Sequence, residues 1–201
     1  MPEPDVASLA GLPPGLSAGE YFLVCGAVEP RKNIARLVAA WRMSGTTLPL
    51  VVAGPDGWRT ETLAPLLAES GAVRLPVVPR STLAALQAGA RALLFPSLAE
   101  GFGLPIIEAM ACGTPVMTSQ GGATGEVAGD AALLVDPLDV EAMAAAIGRL
   151  SVDQALGRRL ASAGHARALQ FSVERFAERL GALHRSVIVN AGDRLYRAAE
   201  R

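Results

Sequence analysis

Short apolar runs stopped by glycine or proline alternate along this chain with stretches that are apolar at helical spacing, and no other feature restricts the fold as much. Tyr21–Gly26, Leu48–Gly54, Ala72–Val78, Ala92–Phe95, Pro115–Thr118 and Ala132–Val135 read as six strands. Between the first two, Ile34, Leu37, Val38 and Trp41 fall at i, i+3, i+4 and i+7, one stripe of a helix. Leu63, Leu66 and Leu67 mark a second helix. Ser81 or Thr82 can cap a third that carries Leu83 and Leu86. Pro105 suits the first turn of a fourth, which holds Ile106, Ile107 and Met110. Further helices are expected at about 139–150, 153–169 and 172–190, with no helical stripe read between the last two strands. Single helices between strands imply crossover connections and a parallel sheet covered on both faces. Strands apolar throughout agree, because such a sheet exposes neither face. The expected fold class is α/β: a single doubly wound, Rossmann-like parallel sheet over 21–190. A Pro, Gly and Ala-rich lead-in over 1–20 precedes it and a short tail over 191–201 follows.

Composition supports a large core and removes several function classes. Of 201 residues, 51% are hydrophobic and 18% charged, far from the make-up of a disordered chain. Eighteen basic residues against nineteen acidic ones leave a net charge of −1, without the basic excess of a nucleic-acid binder. Aromatics at 4% offer few platforms for stacking bases. Two cysteines and two histidines at scattered spacing build neither a disulfide framework nor a zinc site. The start, Met-Pro-Glu-Pro-Asp, lacks a basic and apolar leader, and no apolar run approaches the roughly 18 residues of a spanning helix. The cytoplasm is the expected compartment.

In a doubly wound sheet, ligands bind outside the carboxyl ends of the strands. That directs attention to Gly26–Asn33 and Pro96–Pro105. The second loop reads Ser97-Leu-Ala-Glu-Gly-Phe-Gly-Leu-Pro and runs into a helix. Gly101 and Gly103 let the backbone approach a ligand, and the helix opening near Leu104 adds free amides and the positive end of its dipole. Together they suit phosphate or sugar hydroxyls, although the same glycines also suit a turn that only fits the helix to the sheet. Glu100 closes the loop and Glu108 lies about one turn inside the helix, so both can border one cleft. A carboxylate accepts two hydrogen bonds side by side, which matches a vicinal diol such as a ribose; the alternative for Glu108 is an exposed helix glutamate. Arg31-Lys32-Asn33 opens the helix after the first strand. Two cations there oppose the dipole unless an anion sits with them, and a diphosphate is one such anion. A solvated basic pair is the other reading.

The stretch Phe95-Pro-Ser-Leu-Ala-Glu-Gly-Phe-Gly-Leu-Pro-Ile-Ile-Glu-Ala-Met-Ala-Cys-Gly-Thr-Pro-Val resembles the signature of retaining glycosyltransferases of family 4, the group 1 glycosyl transferases with the GT-B fold, including two glutamates with seven residues between them. Val28-Glu-Pro-Arg-Lys-Asn-Ile is similar to that family's diphosphate loop, and Glu126-Val-Ala-Gly-Asp-Ala-Ala-Leu-Leu-Val-Asp-Pro to its following segment. The likeness runs from about Tyr21 to Ile188. It implies the C-terminal, donor-binding half of a hexosyltransferase acting on a nucleotide-diphosphate sugar, without a cofactor or metal. By the resemblance, Glu100 takes the catalytic position and meets the sugar and phosphates with the Gly101–Leu104 amides. Gly26 and Phe102 join the donor-binding set, Arg31 and Lys32 hold the diphosphate, Glu108 takes the ribose, and the loop Val77–Ser81 flanks the base. Ala27 stands where many members have Arg, Gln87 where Tyr is frequent, and Gly125 where Pro is common. The Pro-Arg-Lys-Asn form is common among mannosyltransferase-like members and points toward a GDP-sugar, with UDP-sugars as the alternative.

The expected partners are a nucleotide sugar and an N-terminal acceptor-binding domain or subunit. Nucleic acid is not among them, and membrane contact is expected only through that missing domain or the acceptor. The competing reading is a stand-alone sugar-nucleotide-binding module without turnover. A different nucleotide-binding α/β protein would need a Walker loop or a G-x-G-x-x-G after the first strand, and neither occurs. Cys112 is expected as a small buried thiol, and Trp41 as core. His165 and His184 are expected on the surface or in packing, and Arg158, Arg159, Arg167, Arg175 and Arg179 on solvated helix faces.

Overall fold

The computed structural model describes residues 11–199, with side chains through Ile188. Residues 1–10 of the expected lead-in and the last two residues of the expected tail lie outside the described residues. Six strands pair side by side: Phe22–Cys25 (β1), Leu50–Ala53 (β2), Val73–Leu75 (β3), Ala92–Phe95 (β4), Val116–Ser119 (β5) and Leu133–Val135 (β6). Their order is β3-β2-β1-β4-β5-β6, and every pairing is parallel. β1 is central: Phe22 pairs with Leu50 on one side and Ala92 on the other. The chain builds outward from β1 to β3, returns to the far side of β1 as β4, and continues to β6. The doubly wound α/β class is what the apolar runs imply.

The helices are Ile34–Met43 (α1), Ala64–Ser70 (α2), Arg80–Gly89 (α3), Leu104–Ala111 (α4), Gly122–Ala128 (α5), Val140–Val152 (α6), Gln154–Leu169 (α7) and Val173–Ala199 (α8). Strand alternation sends Phe22 and Val24 to one core with Ile34, Leu37, Met143 and Ile147, and Leu23 and Cys25 to the other with Leu86, Ile106 and Met110. Burying each such large side chain is worth about 1.5–3 kcal/mol. Trp41 is half-buried against the first core, and its Nε1 donates to Leu48 O at 3.0 Å.

Several boundaries differ from the expectation, each for a local reason. β3 stops at Leu75 because Pro76 has no N–H for the ladder. α3 starts at Arg80 on the backbone of Pro79, so neither Ser81 nor Thr82 caps it. α5 was not expected; Gly122 and Gly125 weaken its helical signal, and it is only seven residues long. α8 continues past residue 190 to Ala199. Along it Val173, Phe176, Leu180, Leu183 and Val187 are exposed at alternating spacings of three and four.

Candidate functional site

The reversal of strand order between β1 and β4 opens a crevice at their carboxyl ends. After β1, Gly26 to Glu29 lead into one 3-10 turn, Pro30–Lys32, and Asn33 takes a left-handed conformation (φ 60°) before α1 begins. Arg31 and Lys32 therefore precede the helix, which corrects their expected place in its first turn. Three loops are tied together here. Leu98 N donates to Arg31 O at 2.8 Å. Asn33 Nδ2 donates to Pro96 O at 3.1 Å and to Pro137 O at 2.6 Å.

The anion required by the two cations is supplied within the chain. Glu100 Oε1 lies 2.7 Å from Lys32 Nζ, and Oε2 lies 2.6 Å from Arg31 Nη1. Arg31 also reaches Glu29 Oε1 at 2.5 Å and donates to Ala99 O at 2.9 Å. Lys32 Nζ sits 4.3 Å from the centroid of the Phe95 ring, so an aromatic face and a carboxylate share its charge. Burial opposes ionisation of Glu100, but Lys32, Ser97 and Arg31 outweigh it and hold the carboxyl below the ordinary glutamate range. Ser97 Oγ is buried beside Glu100 without meeting full hydrogen-bond geometry to any described group. Neither cation is a solvated surface charge: Lys32 is buried and Arg31 half-buried.

Glu100 leads into Gly101, Phe102 and Gly103, of which Gly101 and Phe102 are exposed. Gly103 is the N-cap of α4 at φ 99°, a backbone conformation that calls for glycine, and a Cβ on it would stand 3.1 Å from Ile106 Cδ1. Leu104 and Pro105 form the first turn, with Leu104 exposed. On the same helix Glu108 is exposed, and its Oε2 accepts a hydrogen bond from Gln87 Nε2 at 3.1 Å. Gln87 is itself buried, and its carbonyl accepts from Thr114 Oγ1 at 2.5 Å. Between the two carboxylate groupings lies Cys25, at the end of β1. Burial, and after it Glu108, push its thiol up to about 12, against the opposing pull of Lys32 and Gln87. Gly26, Arg31, Lys32, Glu100 and Gly101–Leu104 thus gather at the carboxyl ends of β1 and β4, and Glu108 lies one turn further along α4, bonded to Gln87.

Glu29, Asn33, Cys25 and Gln87 were not singled out as site residues. Glu29 and Asn33 stand inside the Val28–Ile34 motif, and Gln87 showed only as a departure from a frequent tyrosine. Two other expectations are corrected. Cys112 is exposed rather than buried, because α4 ends at Ala111 and the cysteine is its C-cap. It lines a cavity of about 410 Å³ at the opposite end of the sheet, with Arg91, Thr114 and Arg158. Arg167 is committed to carbonyls of α5 rather than to solvent. His165 and His184 are exposed, as are Arg158, Arg159, Arg175 and Arg179.

This fold, with a glycine loop and paired charges at its switch point, is that of the C-terminal domains of GT-B glycosyltransferases. The chain belongs to the glycosyl transferases group 1 family, whose profile matches residues 16–167. It is 41% identical over 162 residues to the O-antigen chain mannosyltransferase B of Escherichia coli, covering 77% of this chain and 42% of that protein. Sucrose-phosphate synthase from Thermosynechococcus elongatus superposes with a TM-score of 0.78 at 32% identity, over 93% of this chain and 50% of the other. The C-terminal domain of a group 1 glycosyl transferase, LpcC from Francisella tularensis, superposes at 0.68 with 20% identity. That likeness shows the fold, over 78% of this chain and 89% of the other. The chain spans about half the length of the two longer proteins. Among the described residues no helix is long and apolar enough to cross a membrane, and no group of three or more His, Cys, Asp or Glu could hold a metal ion.

Proposed function

We propose that this chain is the donor-binding half of a hexosyltransferase that moves a hexose from a GDP- or UDP-sugar to an acceptor, with retention at the anomeric carbon and without a metal. The observation that carries this reading is the convergence of Lys32, Arg31 and Glu100 with the open end of α4, and Glu108 beyond them, at the switch point. As the bond between the anomeric carbon and the diphosphate breaks, the leaving group takes the electron pair. Lys32 and Arg31 then stabilise its charge together with the Gly101–Leu104 amides. Glu100, released from the two cations, turns to the sugar hydroxyls. Glu108, held by Gln87, accepts the ribose diol. The mannosyltransferase relative favours mannose, and the Pro-Arg-Lys-Asn form favours GDP. The acceptor belongs to a second domain or subunit, for which the exposed stripe on α8 offers an apolar contact. Such a protein works in the cytoplasm and meets a membrane only through that second body or its acceptor.

Glu108→Ala is expected to weaken GDP or UDP binding about tenfold or more, since a hydrogen bond to a charged group contributes ~1.5–3 kcal/mol. Calorimetry with ribo- and 2′-deoxyribonucleotides checks it. Equal affinity for the two in the unmutated chain overturns the ribose role.

The second reading is a binding module without turnover: the one sheet among the described residues forms one wall of a cleft. Transfer needs donor and acceptor held together with water excluded. The isolated chain is therefore expected to bind GDP-mannose or a UDP-hexose and transfer it to nothing. Addition of an acceptor-binding half should restore transfer in the presence of a chelator. Sustained transfer by this chain alone refutes the half-enzyme reading, and binding with no transfer under any pairing selects the module.

A further inference from the structure

Phe102 is an aromatic side chain on an exposed loop between two glycines, 41% exposed, and a Cβ added at Gly101 would meet nothing within 4 Å. One contact nevertheless fixes its direction. The Phe171 ring meets it edge to face, with centroids 5.7 Å apart at 83°. Phe171 sits in the corner between α7 and α8, and the Arg167 guanidinium lies over its ring, 5.2 Å from the centroid. Each nitrogen of that guanidinium donates one hydrogen bond. Nε donates to Val127 O at 2.9 Å, Nη2 to Glu126 O at 2.6 Å, and Nη1 to Gln170 Oε1 at 2.9 Å. The two carbonyls lie in the last turn of α5, where a cation also meets the negative end of the helix dipole. A Cβ on Gly129 would come into contact with the same guanidinium at 3.4 Å, so the arginine packs against the end of α5. Beside the aromatic pair lies a cavity of about 260 Å³ bordered by Gly101, Phe102, Glu126 and Arg179, which is room for the Phe102 ring to leave its seat.

We infer that Phe171, braced by Arg167, is a positioning residue that seats Phe102 and thereby aims the Gly101–Leu104 amides and the adjacent Glu100. The clamp stands on this geometry alone; its effect on ligand binding rests on the donor reading above. An edge-to-face pair shifts a seated-to-swung equilibrium by about two- to tenfold. Phe171→Ala in the whole chain is therefore expected to speed native-state chymotrypsin cleavage after Phe102 by about that factor. Cleavage after the buried Tyr21 and Phe22 should stay unchanged, and Phe171→Tyr should restore the parent rate. A rise at Tyr21, Phe22 and Phe102 together reports global unfolding. In that case Arg167→Gln, which keeps the ring and removes its brace, is the deciding variant, with a rise confined to Phe102 expected. Unchanged cleavage after Phe102 overturns the clamp. In calorimetry the GDP-to-guanosine affinity ratio is expected to fall in Phe171→Ala, while ribose discrimination through Glu108 stays. A faster cut with an unchanged ratio overturns the aiming of the amides. If the parent binds neither GDP nor UDP, the donor reading falls, and the proteolysis still decides the clamp.

Discussion

Gly54→Ala is expected to lower the melting temperature by roughly 8–16 °C, the loss that ~4 kcal/mol produces in a domain of this size. A Cβ at Gly54 would stand 2.1 Å from Gly26 O and 2.6 Å from Gly26 C, and the residue's φ of 144° is one that L side chains rarely adopt. Backbone strain of this kind costs about 1–3 kcal/mol by itself. The clash adds to it, because the obstructing atoms are backbone and cannot rotate away. Both partners are also pinned: Gly26 N donates to Ala53 O and Gly54 N to Leu75 O, each at 2.9 Å. The damage should reach the site, since Gly26 is the floor beneath Lys32. A Cβ on Gly26 would lie 3.2 Å from Lys32 Cε and 3.4 Å from Nζ. Thermal unfolding of the variant decides the matter, and a midpoint within about 2 °C of the parent would sink this account of the crossing.

The framework behind that crossing was readable because its signal is one of burial. The runs that form β1, β2, β4 and β5 are buried on both faces, and those of the partly exposed edge strands β3 and β6 are still largely apolar, so strand type follows from apolarity and the stops that punctuate it. Elements held by weaker or longer-range forces were not readable. α5 is built on Gly122, Ala123, Thr124 and Gly125, and nothing in that run announces a helix. Arg167 looked like one more arginine on a basic tail, since its carbonyl partners lie about 40 residues upstream. The site divides in the same way. Glu100, Glu108, Arg31 and Lys32 stood out through their motifs. That Glu100 holds both cations, Lys32 across 68 positions of sequence and Arg31 one further, could be known only from three dimensions. Gln87 carried no mark of function, because a polar helix residue becomes informative only once its burial and its bond to Glu108 are seen.

Lys32→Met is expected to weaken GDP or UDP binding by roughly 10- to 150-fold, the range set by losing a charged hydrogen bond of ~1.5–3 kcal/mol. It should also change the acid response of folding. Glu100 is held below its ordinary range in the folded chain, so its pairing contributes stability above that range, near pH ~4.3, and loses it as pH falls through the folded value. Without the Lys32 ammonium the depression shrinks, and denaturant unfolding compared at neutral and acid pH should show a smaller drop than in the parent. Glu100→Gln separates competition from support. It keeps the side chain's shape but frees Lys32 and Arg31 from a carboxylate that sits where phosphate oxygens are proposed to bind. Free GDP or UDP should therefore bind at least as tightly as to the parent, while any gain in affinity from an attached hexose is lost with the sugar's acceptor. If Glu100→Gln instead weakens the free nucleotide as much as Lys32→Met does, the carboxylate holds the cations in their binding geometry throughout, and its proposed release toward the sugar is wrong.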